Sequence, residues 1–128
     1  MNDRRGSTAL EFGLVAPIVL TLIFGIVEFG RMVSDQHALD YGVDAAVRYA
    51  IVNSASASAA TITDTFTAAV TPLLGNCAAC SVSVSFNPSY ASGNTVTVSA
   101  TYDWSPVVGL HILVSQTLSS STTMTVQN

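Results

Sequence analysis

The sequence predicts an α+β protein: a long N-terminal helix that is membrane-spanning at its start and amphipathic further on, a short second helix, and a small antiparallel sheet of about three strands. Three observations lead there. An uncharged, mostly apolar run from Phe12 to Val27 follows Arg4 and Arg5, the pattern of a membrane-inserting helix. Apolar residues then recur mostly every three or four positions from Phe29 to Ala50, marking one face of a helix. From Cys80 the period drops to two, as in a strand with one covered face.

The run from Phe12 to Val27 spans about 24 Å at helical rise, short of a hydrocarbon core of about 30 Å. Phe29 and the residues before Glu11 extend it, giving a membrane segment of about residues 12–29. With Arg4 and Arg5 ahead of it, the positive-inside rule places the N-terminus in the cytoplasm and the bulk of the chain outside. Pro17 lacks an amide donor and should kink or loosen this helix. Gly13, Gly25 and Gly30 offer small surfaces at which helices in lipid can approach closely. A secretory signal peptide is the main rival, but the run ends in Gly25-Ile26-Val27-Glu28-Phe29-Gly30-Arg31, with no small-residue cut site after the core.

Beyond the membrane segment the apolar stripe comprises Phe29, Met32, Val33, Gln36, Leu39, Val43, Ala46, Val47 and Ala50. The opposite face carries Arg31, Asp35, Asp40, Asp44 and Arg48, in which Arg31/Asp35 and Asp44/Arg48 are spaced as i,i+4 pairs. One helix from about Thr8 to Val52 follows, lying in lipid at its start and packed on a head at its end. Gly42 is the weakest point of its outer half. Asn53 to Ser58 reads as a break. A second helix is predicted from about Ala59 to Leu74, with Ile62, Phe66, Ala69, Val70 and Leu73 on its apolar face and Pro72, Gly75 and Asn76 closing it.

In the strand region Val82, Val84 and Phe86 alternate with serines, and 87–94 make a turn. Val96, Val98, Ala100 and Tyr102 alternate with polar residues, and Asp103 to Pro106 should break that strand. Val107 to Val114 is an apolar connector or short helix, and Thr117 to Val126 is a third strand that Ser119-Ser120-Ser121 weakens. Tyr102 and Trp104 are expected to anchor the sheet to the helix.

Only 9% of the 128 residues are charged, against about a quarter in ordinary soluble domains. There is no lysine, and the arginines are Arg4, Arg5, Arg31 and Arg48. That excludes a nucleic-acid binder, which holds phosphates with many Lys and Arg contacts. The tail after Tyr49 has Asp64 and Asp103 as its acids and is otherwise rich in Ser, Thr, Ala and Val. Such a surface can pack against copies of itself.

Glu11 sits at the mouth of the membrane run, five residues after Gly6. A carboxylate near lipid costs free energy and needs a partner. Cleavage after Gly6 would supply one, the free amine of Ser7, one helical turn away. An amine and a carboxylate are each costly to desolvate alone and less so as a hydrogen-bonded pair. The pair could form within one chain, or between neighbouring chains, where it would set axial register.

These residues carry a resemblance. Arg4-Arg5-Gly6-Ser7-Thr8-Ala9-Leu10-Glu11-Phe12, then Ala16-Pro17, Phe24-Gly25-Ile26-Val27-Glu28-Phe29-Gly30-Arg31, Ala38-Leu39-Asp40 and Ala45-Ala46-Val47-Arg48-Tyr49-Ala50 resemble the TadE-like pseudopilins of the tight-adherence (Flp) type IV pilus system, over about residues 4–52. TadE, TadF and other TadE-domain proteins are relatives. The resemblance implies a pilin-like fold and a single-pass protein of the bacterial inner membrane. It also implies processing between Gly6 and Ser7 by a prepilin peptidase. The chain then divides into a leader 1–6, a long helix 7–52 and an extracytoplasmic head 53–128. Glu11 and the adjacent Phe12 would serve assembly and register; Phe29, Met32, Val33, Leu39, Val43 and Val47 would serve helix packing. The implied partners are the membrane, the peptidase, the major pilin, other pseudopilins and the pilus assembly platform.

Cys77-Ala78-Ala79-Cys80 admits a local disulfide, a redox site, a metal site or free thiols. A disulfide is favoured in an oxidising compartment. A redox site lacks a βαβ context, and a metal site lacks a second ligand pair. His37 and His111 are isolated. No G-x-S-x-G elbow, P-loop, dinucleotide fingerprint or EF-hand loop occurs. The expectation is a non-enzymatic protein without metal or cofactor, one that primes, caps or regulates assembly of an adhesive pilus. The alternative is an uncleaved single-span protein whose head binds a partner or surface ligand. A periplasmic thiol–disulfide enzyme is a third class.

Overall fold

The computed structural model describes residues 3–53, 56–75, 77–87, 89, 91, 93–107 and 114–127, with side chains of the first helix described from Thr8 onward. The fold is α+β. Helix α1 runs from Asp3 to Val52, α2 from Ala59 to Leu74, and the strands are β1 (Cys80–Asn87), β2 (Thr95–Trp104) and β3 (Gln116–Thr125). At 1.5 Å per residue α1 is about 75 Å long. Its helical assignment continues through Pro17, and Thr21 Oγ1 donates to the Pro17 carbonyl at 2.8 Å.

Chain composition decides which half of α1 the head covers. The apolar half is uncovered, with Leu10, Phe12, Leu14, Ile18, Leu22 and Ile26 all exposed. In the outer half Leu39, Val43, Ala46, Val47 and Ala50 form a continuous buried face. Across from it lie Ile62, Phe66 and Val70 of α2 and Val96, Val98, Ala100 and Trp104 of β2. Burying a Val, Leu or Phe side chain contributes about 1.5–3 kcal/mol, so this face is what holds the head on the helix.

α2 starts where Ser58 caps it. The Ser58 hydroxyl accepts from the Thr61 amide at 3.2 Å, and Thr61 Oγ1 accepts from the Ser58 amide at 2.8 Å, a reciprocal box that satisfies two otherwise orphan donors. The helix passes Pro72 for two residues and ends before Gly75, whose φ of 70° is open to glycine at no steric cost. Leu73, expected on the apolar face, is exposed.

The sheet is an antiparallel meander in the order β1-β2-β3. Its register pairs Val84 with Val98 and Val98 with Thr122. One face packs on the helices. The other is a field of hydroxyls, in which Thr97 Oγ1 meets Thr123 Oγ1 and Ser99 Oγ meets Ser121 Oγ, both at 2.7 Å. The triple serine does not interrupt β3: Ser119, Ser120 and Ser121 pair with Thr101, Ala100 and Ser99 of β2, and the Ser121 hydroxyl has a partner across the sheet. β2 also runs further than its sequence suggests. Asp103 pairs with Thr117, whose hydroxyl donates to the Asp103 carboxylate at 2.8 Å, and Trp104 pairs with Gln116. Of the apolar connector, residues 108–113 lie outside the described residues, as do His111 and Pro88, Tyr90 and Ser92 of the expected 87–94 turn.

Two further side chains tie α1 to the edge strand β3. Gln36 Nε2 donates to the Ser119 carbonyl at 3.1 Å, and Thr122 Oγ1 donates to Asp44 Oδ1 at 3.2 Å. The former occupies an acceptor on an otherwise open strand edge.

Candidate functional site

Two carboxylates bracket the apolar run of α1, and the head treats them differently. Glu11 is on the uncovered part of the helix with Leu10 and Phe12, both exposed. It is one helical turn after Ser7, the spacing at which side chains on a helix meet. Gly6 and Ser7 fall within α1, and their side chains lie outside the described residues.

Glu28, the first charged residue after the run, is 3% exposed. Ser105 and Val107, just after β2, lie against the helix beside Glu28. Oε2 accepts from Arg31 Nη1 at 3.0 Å and Oε1 accepts from the Val107 amide at 2.9 Å. Arg31 in turn donates from Nη2 to the Ser105 carbonyl at 3.3 Å, and its guanidinium carbon stands 5.5 Å from the centroid of the Trp104 ring, within cation–π range. A buried carboxylate is tolerated when paired and hydrogen-bonded, and both conditions hold here. Arg31 thus engages Glu28 rather than Asp35. Among the described residues this is the ion pair present, and Asp44 bonds to Thr122 instead of pairing with Arg48.

The sequence names Glu28 without assigning it a role. Its signal was a carboxylate at the end of an apolar run, three residues before an arginine. Its main-chain partner is 79 positions away. Replacing Glu28 with alanine should leave the Val107 amide unmet and release Arg31, at a cost of about 1–3 kcal/mol. Glu28→Gln, which can still accept from Val107, should cost less. Thermal unfolding of the full chain in detergent measures both.

The helix-packing residues divide. Leu39, Val43 and Val47 are fully buried in the chain's own core, Met32 is half-buried, and Phe29 and Val33 are exposed. Phe29 and Val33 are therefore the members still available to a neighbour. Cys77 and Cys80 form a disulfide across a tight turn, with their α-carbons 5.2 Å apart and the Cys80 amide donating to the Cys77 carbonyl at 3.1 Å. It pins the start of β1, and Ala79 accepts from the Asp103 amide beside it. A shallow groove of about 510 Å³ between α1 and α2 is lined by Tyr41, Ala68, Ala69, Pro72 and Leu73, and it brings no nucleophile and base together. His37 is exposed on α1. Among the described residues no group of three His, Cys, Asp or Glu side chains converges.

Residues 6–48 match the family model described as TadE-like protein. No curated protein and no solved structure matches the chain. The matched segment starts at Gly6, contains Glu11, the apolar run, Glu28 and Arg31, and ends among the residues that seat the head. The similarity thus covers residues 6–48, the helix segment that carries both carboxylates.

Proposed function

We propose that this protein is a minor pilin or pseudopilin of the tight-adherence (Flp) type IV pilus, a structural subunit and not an enzyme. α1 anchors it in the bacterial inner membrane with its N-terminus inside. A prepilin peptidase removes residues 1–6, and the new Ser7 amine meets Glu11. The subunit then primes, caps or regulates assembly of the adhesive pilus through contacts with the major pilin, other pseudopilins and the assembly platform.

The observation that carries this reading is the uncovered apolar half of α1, with Glu11 at its mouth, inside the TadE-like segment. The head packs on the outer half and leaves the rest of the helix for lipid or for neighbouring helices. In a bundle drawn from lipid, small and apolar surfaces supply packing, and a buried amine–carboxylate pair fixes register.

Glu11→Ala tests it in the native cell. An unpaired Ser7 amine is costly to bury, so copurification with other pilus subunits should fall by about tenfold or more. Membrane insertion and head stability should be unchanged, because Glu11 lies far along α1 from the core. Undiminished copurification would overturn the assembly role.

A further inference from the structure

We infer that the head rests on the outer surface of the bilayer through Val107 and Val114, two residues between β2 and β3. The inference rests on the reading of α1 as the membrane span. It adds where the head sits on that membrane and what it touches there.

Glu28 directly follows the last residue of the apolar run, and the head covers it while leaving Ile26 72% exposed. Side chains on a helix lean toward its N-terminus, so the Glu28 carboxylate lies over the preceding turn, beside the end of the run. The Val107 amide reaches that carboxylate at 2.9 Å. Val107 is therefore level with the point where α1 leaves the hydrocarbon, not out at the far side of the head. The pairing of Trp104 with Gln116 places Val114, two residues before Gln116, at the same end of the sheet.

Both valines face outward, Val107 at 77% and Val114 at 74% exposure. The described neighbours Ser105, Pro106 and Ser115 carry no charge to oppose contact with lipid. Arg31, held by Glu28 and partly exposed, stands at the same level. A guanidinium on an apolar stem at a membrane boundary reaches for headgroup phosphate. The occupant of this surface is thus the lipid already around α1, because Val107 is held at Glu28, the residue that directly follows the apolar run.

The test uses the full chain with its disulfide intact, reconstituted in vesicles of phosphatidylethanolamine and phosphatidylglycerol at high lipid-to-protein ratio. A fluorophore is placed in turn at Val107→Cys, at Ser99→Cys on the outer sheet face, and at Ile18→Cys in the span. The Val107 bond uses the backbone amide, so the substitution leaves it in place. The expected result is severalfold stronger quenching at 107 than at 99 by lipids carrying a nitroxide near the headgroup, with severalfold protection from aqueous iodide. The label at 18 should be quenched by a deep nitroxide. Quenching at 18 with iodide access at 107 equal to that at 99 would overturn the inference and leave the span intact. No quenching at 18 would overturn both. Lipid protection at 107 that vanishes on dilution, with energy transfer between labelled chains, would assign the surface to a second copy and overturn the lipid contact.

Discussion

Trp104→Ala is expected to lower the stability of the head by about 3–5 kcal/mol, the range for deleting a buried large aromatic side chain. For a domain of this size that lowers Tm by roughly 12 °C or more. The indole is 1% exposed, ends β2, and lies beneath the Arg31 guanidinium. Its loss would open a cavity and free Arg31 from one of the surfaces that hold it beside Glu28. Trp104→Phe should behave differently. The indole Nε1 is buried with no acceptor among the described residues, so phenylalanine forfeits no hydrogen bond and removes an unmet donor. The loss should then be smaller than for alanine, since phenylalanine keeps an aromatic ring and leaves only part of the indole's volume empty. Circular dichroism melts of the two full-length variants in detergent would separate a packing role from a polar one. Equal losses would contradict this account. The effects of Trp104 and Glu28 substitutions should not add, because both act on Arg31.

Gly42→Ala is expected to destabilise the packing of α2 on α1. A Cβ at this position would overlap Val70 Cγ2 and come within 2.9 Å of Phe66 Cε2. Val70 and Phe66 are themselves buried, and a valine has little rotamer freedom with which to retreat. Overpacking of this kind costs about 1–3 kcal/mol, while alanine recovers about 1 kcal/mol of helix propensity. The net expectation is a modest loss of Tm with α2 displaced. Gly30→Ala is the contrast, since a Cβ there meets nothing within 4 Å. It should leave the head unchanged or slightly more stable. A stabilising Gly42→Ala would show that the two helices do not approach as described.

That comparison also shows what the sequence could convey. Gly42 read from sequence is a weak point in a helix, because a local pattern shows only the helix that contains it. Its role as the floor of a helix crossing depends on Phe66 and Val70, which arrive from the next element. By contrast the extent of α2 was legible, since its signals are local: Asn53 to Ser58 read as a break, Ile62, Phe66 and Val70 repeat at helical spacing, and Gly75 ends it. The Ser58–Thr61 cap went unread, and Leu73 was misplaced on its apolar face. The same distinction explains the strands. Alternation in β1 and β2 is local and was legible. The continuation of β2 through Asp103 and Trp104 depends on Thr117 and Gln116, and the persistence of β3 through its serines goes with their pairing to Thr101, Ala100 and Ser99 of β2. Arg31 follows suit. Spacing alone matched it to Asp35, whereas the approach of Trp104 and Ser105 turns it toward Glu28. Of the candidate site, Glu11 and the apolar run stood out because a charge beside lipid is conspicuous without any tertiary context. Glu28 gained a role when Val107 came to it.

The account stands on Glu11 having an amine to meet. The most direct measurement is the intact mass of the protein from its native membrane, in cells with and without the cognate prepilin peptidase. The account predicts loss of residues 1–6, with Ser7 as the new N-terminus, in the presence of the peptidase and the full-length chain in its absence. The same unprocessed mass in both cells would contradict it.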